Sequence, residues 1–141
     1  MEQEDYILRE IEKIRAIFSS IWQKIFGGGN NLSIALEKQM EDAKGRLLNE
    51  SNFDLDKFLD LNMEASNEYL SGFQGFNIEN IELLADFIFQ TVLHDKGVNS
   101  RKYLERALQL YELCNLKSKT FSFEREANIE AIKKYLTDNE V

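Results

Sequence analysis

The chain has 141 residues, 43% hydrophobic and 30% charged, a length that suits one domain with enough apolar area to fold around a single core. Its net charge of −8 argues against nonspecific nucleic-acid binding, which needs a basic surface to neutralise phosphates. The lone cysteine, Cys114, excludes an intramolecular disulfide and a cysteine zinc cluster.

There is no proline, and the seven glycines fall almost entirely between periodic segments, the pattern of long helices joined by short turns. The expectation is an all-α fold of about six antiparallel helices in a single domain covering 1–141, with hairpins stacked as a bundle or a short array. The opening Met1-Glu2-Gln3-Glu4-Asp5 is acidic where a signal peptide starts basic, and no apolar run reaches the roughly eighteen residues of a membrane span. The expected location is the cytoplasm.

The first predicted helix, within 1–26, carries Ile7, Ile11, Ile14, Phe18, Ile21 and Ile25 at alternating spacings of four and three, which is a heptad seam. Leu8, Ile17, Trp22 and Phe26 flank the seam and widen the apolar arc to about 180°. One neighbouring helix does not cover that much, so Ile7, Ile11, Ile14, Phe18, Ile21, Trp22 and Ile25 are the candidate protein-interaction residues. The run Gly27-Gly28-Gly29-Asn30-Asn31 follows as a hinge at 27–31, ahead of a helical body at 32–141.

In that body a second helix starts after Asn31 or Ser33 and places Leu36, Met40, Ala43 and Leu47 on one face. A cap at Asn52 to Asp54 leads into a third helix with Leu55, Phe58, Leu59, Met63, Tyr69 and Leu70, closed by a turn at 71–76. Asn77 caps a fourth, in which Ile78, Ile81, Leu84, Ala85, Ile88, Val92 and Leu93 recur, with Phe87 and Phe89 adding width. After a turn at 95–100, a fifth helix carries Tyr103, Leu104, Ala107, Leu108, Tyr111 and Cys114. The sixth, capped near Thr120 or Ser122, carries Phe123, Ala127, Ile129, Ile132, Tyr135 and Leu136.

Two stretches carry a resemblance. Ala107, Tyr111 and Cys114 stand where the second helix of a tetratricopeptide repeat places small, aromatic and small residues, and Leu84-Ala85 with Gly97 resembles its first helix and turn. The spacing from Ala85 to Ala107 is about ten residues too long for that repeat, and its closing proline is missing. The opening Asp5-Tyr6-Ile7-Leu8-Arg9-Glu10-Ile11-Glu12 is similar to a family of short, uncharacterised bacterial helical proteins. In that family an amphipathic first helix precedes a tetratricopeptide-like body. The resemblance implies architecture and a bacterial source, with no activity attached.

Catalytic chemistry finds few residues. His94 is the only histidine, which excludes zincin and di-iron patterns, and its place at a helix end points to capping. Asp54-Leu55-Asp56 lacks the later ligand and glycine of a calcium loop, and the glycine run lacks the Lys-Ser/Thr of a phosphate loop. Asp56, Asp60, Glu64 and Glu68 recur every four residues as an acidic ridge. Charge is also divided along the chain: 50–95 is net −9 and 96–134 is net +4, so the halves could attract each other or a second copy.

The sequence thus points to a non-catalytic protein-interaction or scaffold module, with no cofactor, metal or small-molecule substrate implied. The expected partner is another protein or a second copy bound through the first helix. The alternative is peripheral membrane-surface binding by that helix, whose Arg9, Lys13, Arg15 and Lys24 outnumber Glu10 and Glu12.

Overall fold

A computed structural model of the chain describes residues 2–26, 32–94 and 100–138. Among these residues the structure is all-helical, with seven helices: α1 (Glu2–Phe26), α2 (Leu32–Ser51), α3 (Leu55–Asp60), α4 (Met63–Ser71), α5 (Ile78–His94), α6 (Ser100–Lys117) and α7 (Phe123–Asp138). The expected hinge at 27–31 and the turn at 95–99 lie outside the described residues. No helix among the described residues is long and apolar enough to cross a membrane.

The count corrects the expected six, and the extra helix comes from a break inside the third predicted one. Leu61 leaves helical geometry at φ −73° and ψ 156°, and Asn62 restarts the chain as α4 by accepting from the Ala65 N–H at 2.8 Å. Two side chains of α6 serve the carbonyls at this break. The Arg106 guanidinium donates to the Leu61 carbonyl, and Gln109 Nε2 donates to the Met63 carbonyl and to Ser66 Oγ, both at 3.0 Å. The break divides the acidic ridge as well. Asp56 pairs with Lys44 and Asp60 with Lys102, each at 3.0 Å, so cations of the same chain engage its first half.

Between α2 and α3 the chain turns through Asn52, whose φ of 59° lies in the left-handed region that asparagine tolerates. The turn drives Phe53 inward. Its ring centroid lies 4.7–5.5 Å from those of Phe58, Tyr69, Phe73 and Phe76, the separation at which aromatic rings attract. Asp54 then caps α3 by accepting from the Lys57 N–H at 3.1 Å.

Buried apolar residues of all seven helices join one cluster. In α5, Ile81, Leu84, Ala85, Phe87, Ile88, Phe89 and Val92 are all buried, and these positions reach most of the way around the helix. α5 accordingly packs against α6, α1 and α2, while α7 packs on α6. Facing ends can be read from polar contacts. Cys114 near the end of α6 lies 3.6 Å from the carbonyl of Ile78 at the start of α5. Arg101 at the start of α6 donates to the Leu136 carbonyl near the end of α7 at 3.3 Å.

Helix α1 is seated by one amide. Asn80 Nδ2 donates to the Gly75 carbonyl at 2.7 Å and to the Ile11 carbonyl of α1 at 3.0 Å. A Cβ on Gly75 would stand 2.8 Å from the Glu10 carbonyl oxygen and 2.6 Å from Ile14 Cδ1, so only glycine lets the turn approach α1 this closely.

Leu84 and Ile88 are fully enclosed, whereas Leu108 is half-buried. Truncating Leu84 or Ile88 to alanine should cost about 2–5 kcal/mol, and truncating Leu108 clearly less. Urea denaturation of the three variants checks this, and equal losses would contradict the assigned faces.

Candidate functional site

The seam read from the sequence is drawn into the chain's own core. Ile14, Phe18 and Ile21 are buried, with Ile17 beside them, and the Phe18 ring lies 5.9 Å from that of Phe87. Ile7 and Ile11 are half-buried, Trp22 packs partly buried against the core, and the Ile25 side chain lies outside the described ones. The wide apolar arc is covered from two sides, by α2 and α5.

Between α5, α6 and α7 lies a polar cluster. Tyr111 donates its hydroxyl to Asp86 and accepts from Asn128 Nδ2 at 3.2 Å. The buried Arg125 donates through Nε and Nη2 to Glu82 at 3.1 and 2.8 Å and through Nη1 to Asn115 at 2.9 Å. A basic residue of the 96–134 half here meets an acid of the 50–95 half inside one chain, as Lys102 and Asp60 also do.

Burial pushes the Asp86 carboxyl up to about 6, against the Tyr111 hydrogen bond, with Glu82 and Glu124 adding to the rise. Burial also raises the Tyr111 hydroxyl and lifts the Cys114 thiol to about 12. At neutral pH the thiol is protonated and a poor nucleophile. His94 Nδ1 sits 2.9 Å from the Gln90 carbonyl one turn back in its own helix. No group of three or more metal-ligating side chains stands together among the described residues.

Three large apolar side chains near one another in the sequence are exposed elsewhere. Leu116, Phe121 and Phe123 are 83, 66 and 83% exposed. Their position follows from how the two helix ends are tied. On α6, Leu110, Tyr111 and Cys114 are buried while Asn115 is bonded to Arg125 and Glu126 of α7, which leaves Leu116 pointing to solvent. In the link, the Thr120 N–H donates to Ser118 Oγ at 3.2 Å, and Ser122 caps α7 by accepting from the Arg125 N–H at 3.2 Å. With Arg125 turned inward to Glu82, Phe123 two residues earlier faces outward, and its ring packs edge-on against Phe121 at 4.8 Å. The expectation that Phe123 and Ala127 lie on the apolar face of the last helix is thereby corrected, since both are exposed.

Next to Leu116 in sequence, Lys117 borders a crevice of about 310 Å³ that opens between α4, the 73–76 turn, the start of α5 and the end of α6. Leu70, Phe73, Phe76, Ile81 and Leu113 line it, with Lys117 as its charged residue. Sequence reasoning missed Leu116, Phe121 and the crevice. Phe121 and Phe123, two apart across the start of α7, could have flagged it, because no helical face buries such a pair together. No family model, curated protein or solved structure matches the chain.

The raised Asp86 carboxyl has a consequence for stability. The folded state holds this proton more tightly than the unfolded chain, so the contribution is complete below about pH 4 and lost as pH rises through about 6. Asp86→Asn, which cannot ionise, should therefore gain on the native protein as pH rises from 4 to 7, by up to about 3 kcal/mol. Urea denaturation at both pH values measures the difference, and a gap that does not change with pH would contradict the assignment.

Proposed function

We propose that the chain is a non-catalytic protein-interaction module, a single domain of antiparallel helical hairpins that presents Leu116, Phe121 and Phe123 to a protein partner. The observation that carries this reading is the exposure of these three large apolar side chains, 83, 66 and 83%, within 116–123. Phe121 and Phe123 are in ring contact, and contiguous apolar exposure marks interaction surfaces on folded proteins. The antiparallel arrangement is supported by the facing ends of α5 with α6 and of α6 with α7. The single domain is supported by the one cluster of buried residues.

The first helix is the weaker candidate for recognition. Laying its apolar face on a membrane requires Ile14, Phe18 and Ile21 to leave the core, and exchanging it between copies would re-bury them in the partner's core and present none of them to another protein. Each buried aliphatic or aromatic side chain is worth about 1.5–3 kcal/mol of burial, so leaving the core carries a cost that side chains already in solvent do not. The reactive groups are also engaged: Asp86 by Tyr111, and Cys114 in a setting that keeps its thiol protonated.

A photo-crosslinking residue at position 119 tests the reading in cells. The expected result is a discrete set of protein adducts that disappears when Leu116, Phe121 and Phe123 are all replaced by serine, with the helical circular dichroism spectrum retained. Adducts unchanged by the triple substitution, or none at all, would contradict it.

A further inference from the structure

We propose that the crevice beside Lys117 receives one segment of a partner protein, bearing a bulky apolar side chain and a carboxylate about one helical turn away. This rests on the interaction reading above and names the chemistry of what binds.

The crevice is built for an anchor. Leu70, Phe73, Phe76, Ile81 and Leu113 come from α4, the following turn, α5 and α6, so its walls belong to four separately packed elements. Its volume of about 310 Å³ is at the bottom of the range of small-molecule pockets, roughly 300–1,000 Å³. That room suits one or two large side chains, the usual anchors of a protein interface.

Charge selects the segment. The chain carries a net −8, yet the charged residue lining this apolar space is a cation, Lys117. Most of the lysines on the first three elements and Lys102 are engaged: Lys13 with Glu10, Lys24 with Asp42, Lys44 with Asp56 and Lys102 with Asp60. Lys117 makes no ion pair among the described residues, and Lys119 follows it in the link after α6. A carboxylate arriving with the anchor meets a cation that no carboxylate among the described residues engages, while a basic segment is opposed. Leu113 and Lys117 stand one turn apart on α6, and Leu116 lies between them in sequence, so an apolar contact can continue from the crevice onto the exposed Leu116.

The test is panning of the full chain against a random twelve-residue peptide library on phage, followed by amide chemical-shift mapping with a selected peptide. Selected peptides should carry Trp, Phe or Leu with Asp or Glu three or four positions away and should shift the amides of Leu113 and Lys117. Lys117→Glu should weaken them about tenfold or more, and replacing the peptide's acid by lysine should recover binding to that variant. Enriched peptides without an acid, unchanged affinity in Lys117→Glu, or shifts confined to another face would overturn the crevice assignment and leave the interaction reading standing. No enrichment at all would remove both. Two further arms identify other occupants, each of which overturns the proposal. One is competition of the peptide by phosphatidylserine-containing vesicles, which assigns the surface to lipid. The other is a concentration-dependent mass abolished by Lys117→Glu, which assigns it to a second copy.

Discussion

Helix α5 is apolar around most of its circumference, and covering it on every side sets the positions of the elements around it. Ile81, Leu84, Ala85, Phe87, Ile88, Phe89 and Val92 are buried on one 17-residue helix, so no single neighbour could shield it. α6 takes one side, and α1 and α2 take others. The same helix supplies Asn80, whose amide holds both the Gly75 turn and the Ile11 carbonyl. Burial thus provides the driving force for docking α1, and one hydrogen-bonded amide with one side-chain-free position sets how closely it docks.

From that arrangement follows a division of surfaces. The amphipathic face of α1 closes the core, and ion pairs such as Glu82–Arg125 and Asp60–Lys102 join the acidic and basic stretches of the chain within the fold. Left in solvent are Leu116, Phe121 and Phe123, and beside an apolar crevice lies Lys117, which has no ion pair among the described residues. Arg125 links the two regions, because its burial against Glu82 fixes the start of α7 and so turns Phe123 outward.

Periodicity made the helices legible. Ile14, Phe18 and Ile21, Met40, Ala43 and Leu47, Leu84 and Ile88, and Ile129 and Ile132 all face inward as their spacing requires. The cap at Asn77 was legible too, and that of α7 was narrowed to Thr120 or Ser122, since a side-chain acceptor ahead of an apolar run is a local signal. The break at Leu61 and Asn62 was not, because the residues that serve its carbonyls, Arg106 and Gln109, lie more than forty positions away. Phe53 escaped notice for a related reason: it stands in a connection, outside any periodic segment, yet it is the ring that four other aromatic side chains surround. The surface at 116–123 was hidden because Phe123 fits a helical apolar pattern unless Arg125 is known to be buried. The arc of α1 is matched in width by the two helices of the same chain that cover it.

The central claim is that α1 belongs to the core, which leaves recognition to the α6–α7 surface. Hydrogen–deuterium exchange of the purified chain, followed by mass spectrometry at two protein concentrations tenfold or more apart, tests this most directly. The expected result is that peptides covering 14–21 exchange as slowly as those covering 81–92, at a rate independent of concentration. Early exchange in 14–21, or protection there that grows with concentration, would show that α1 is a separable arm and would contradict the account.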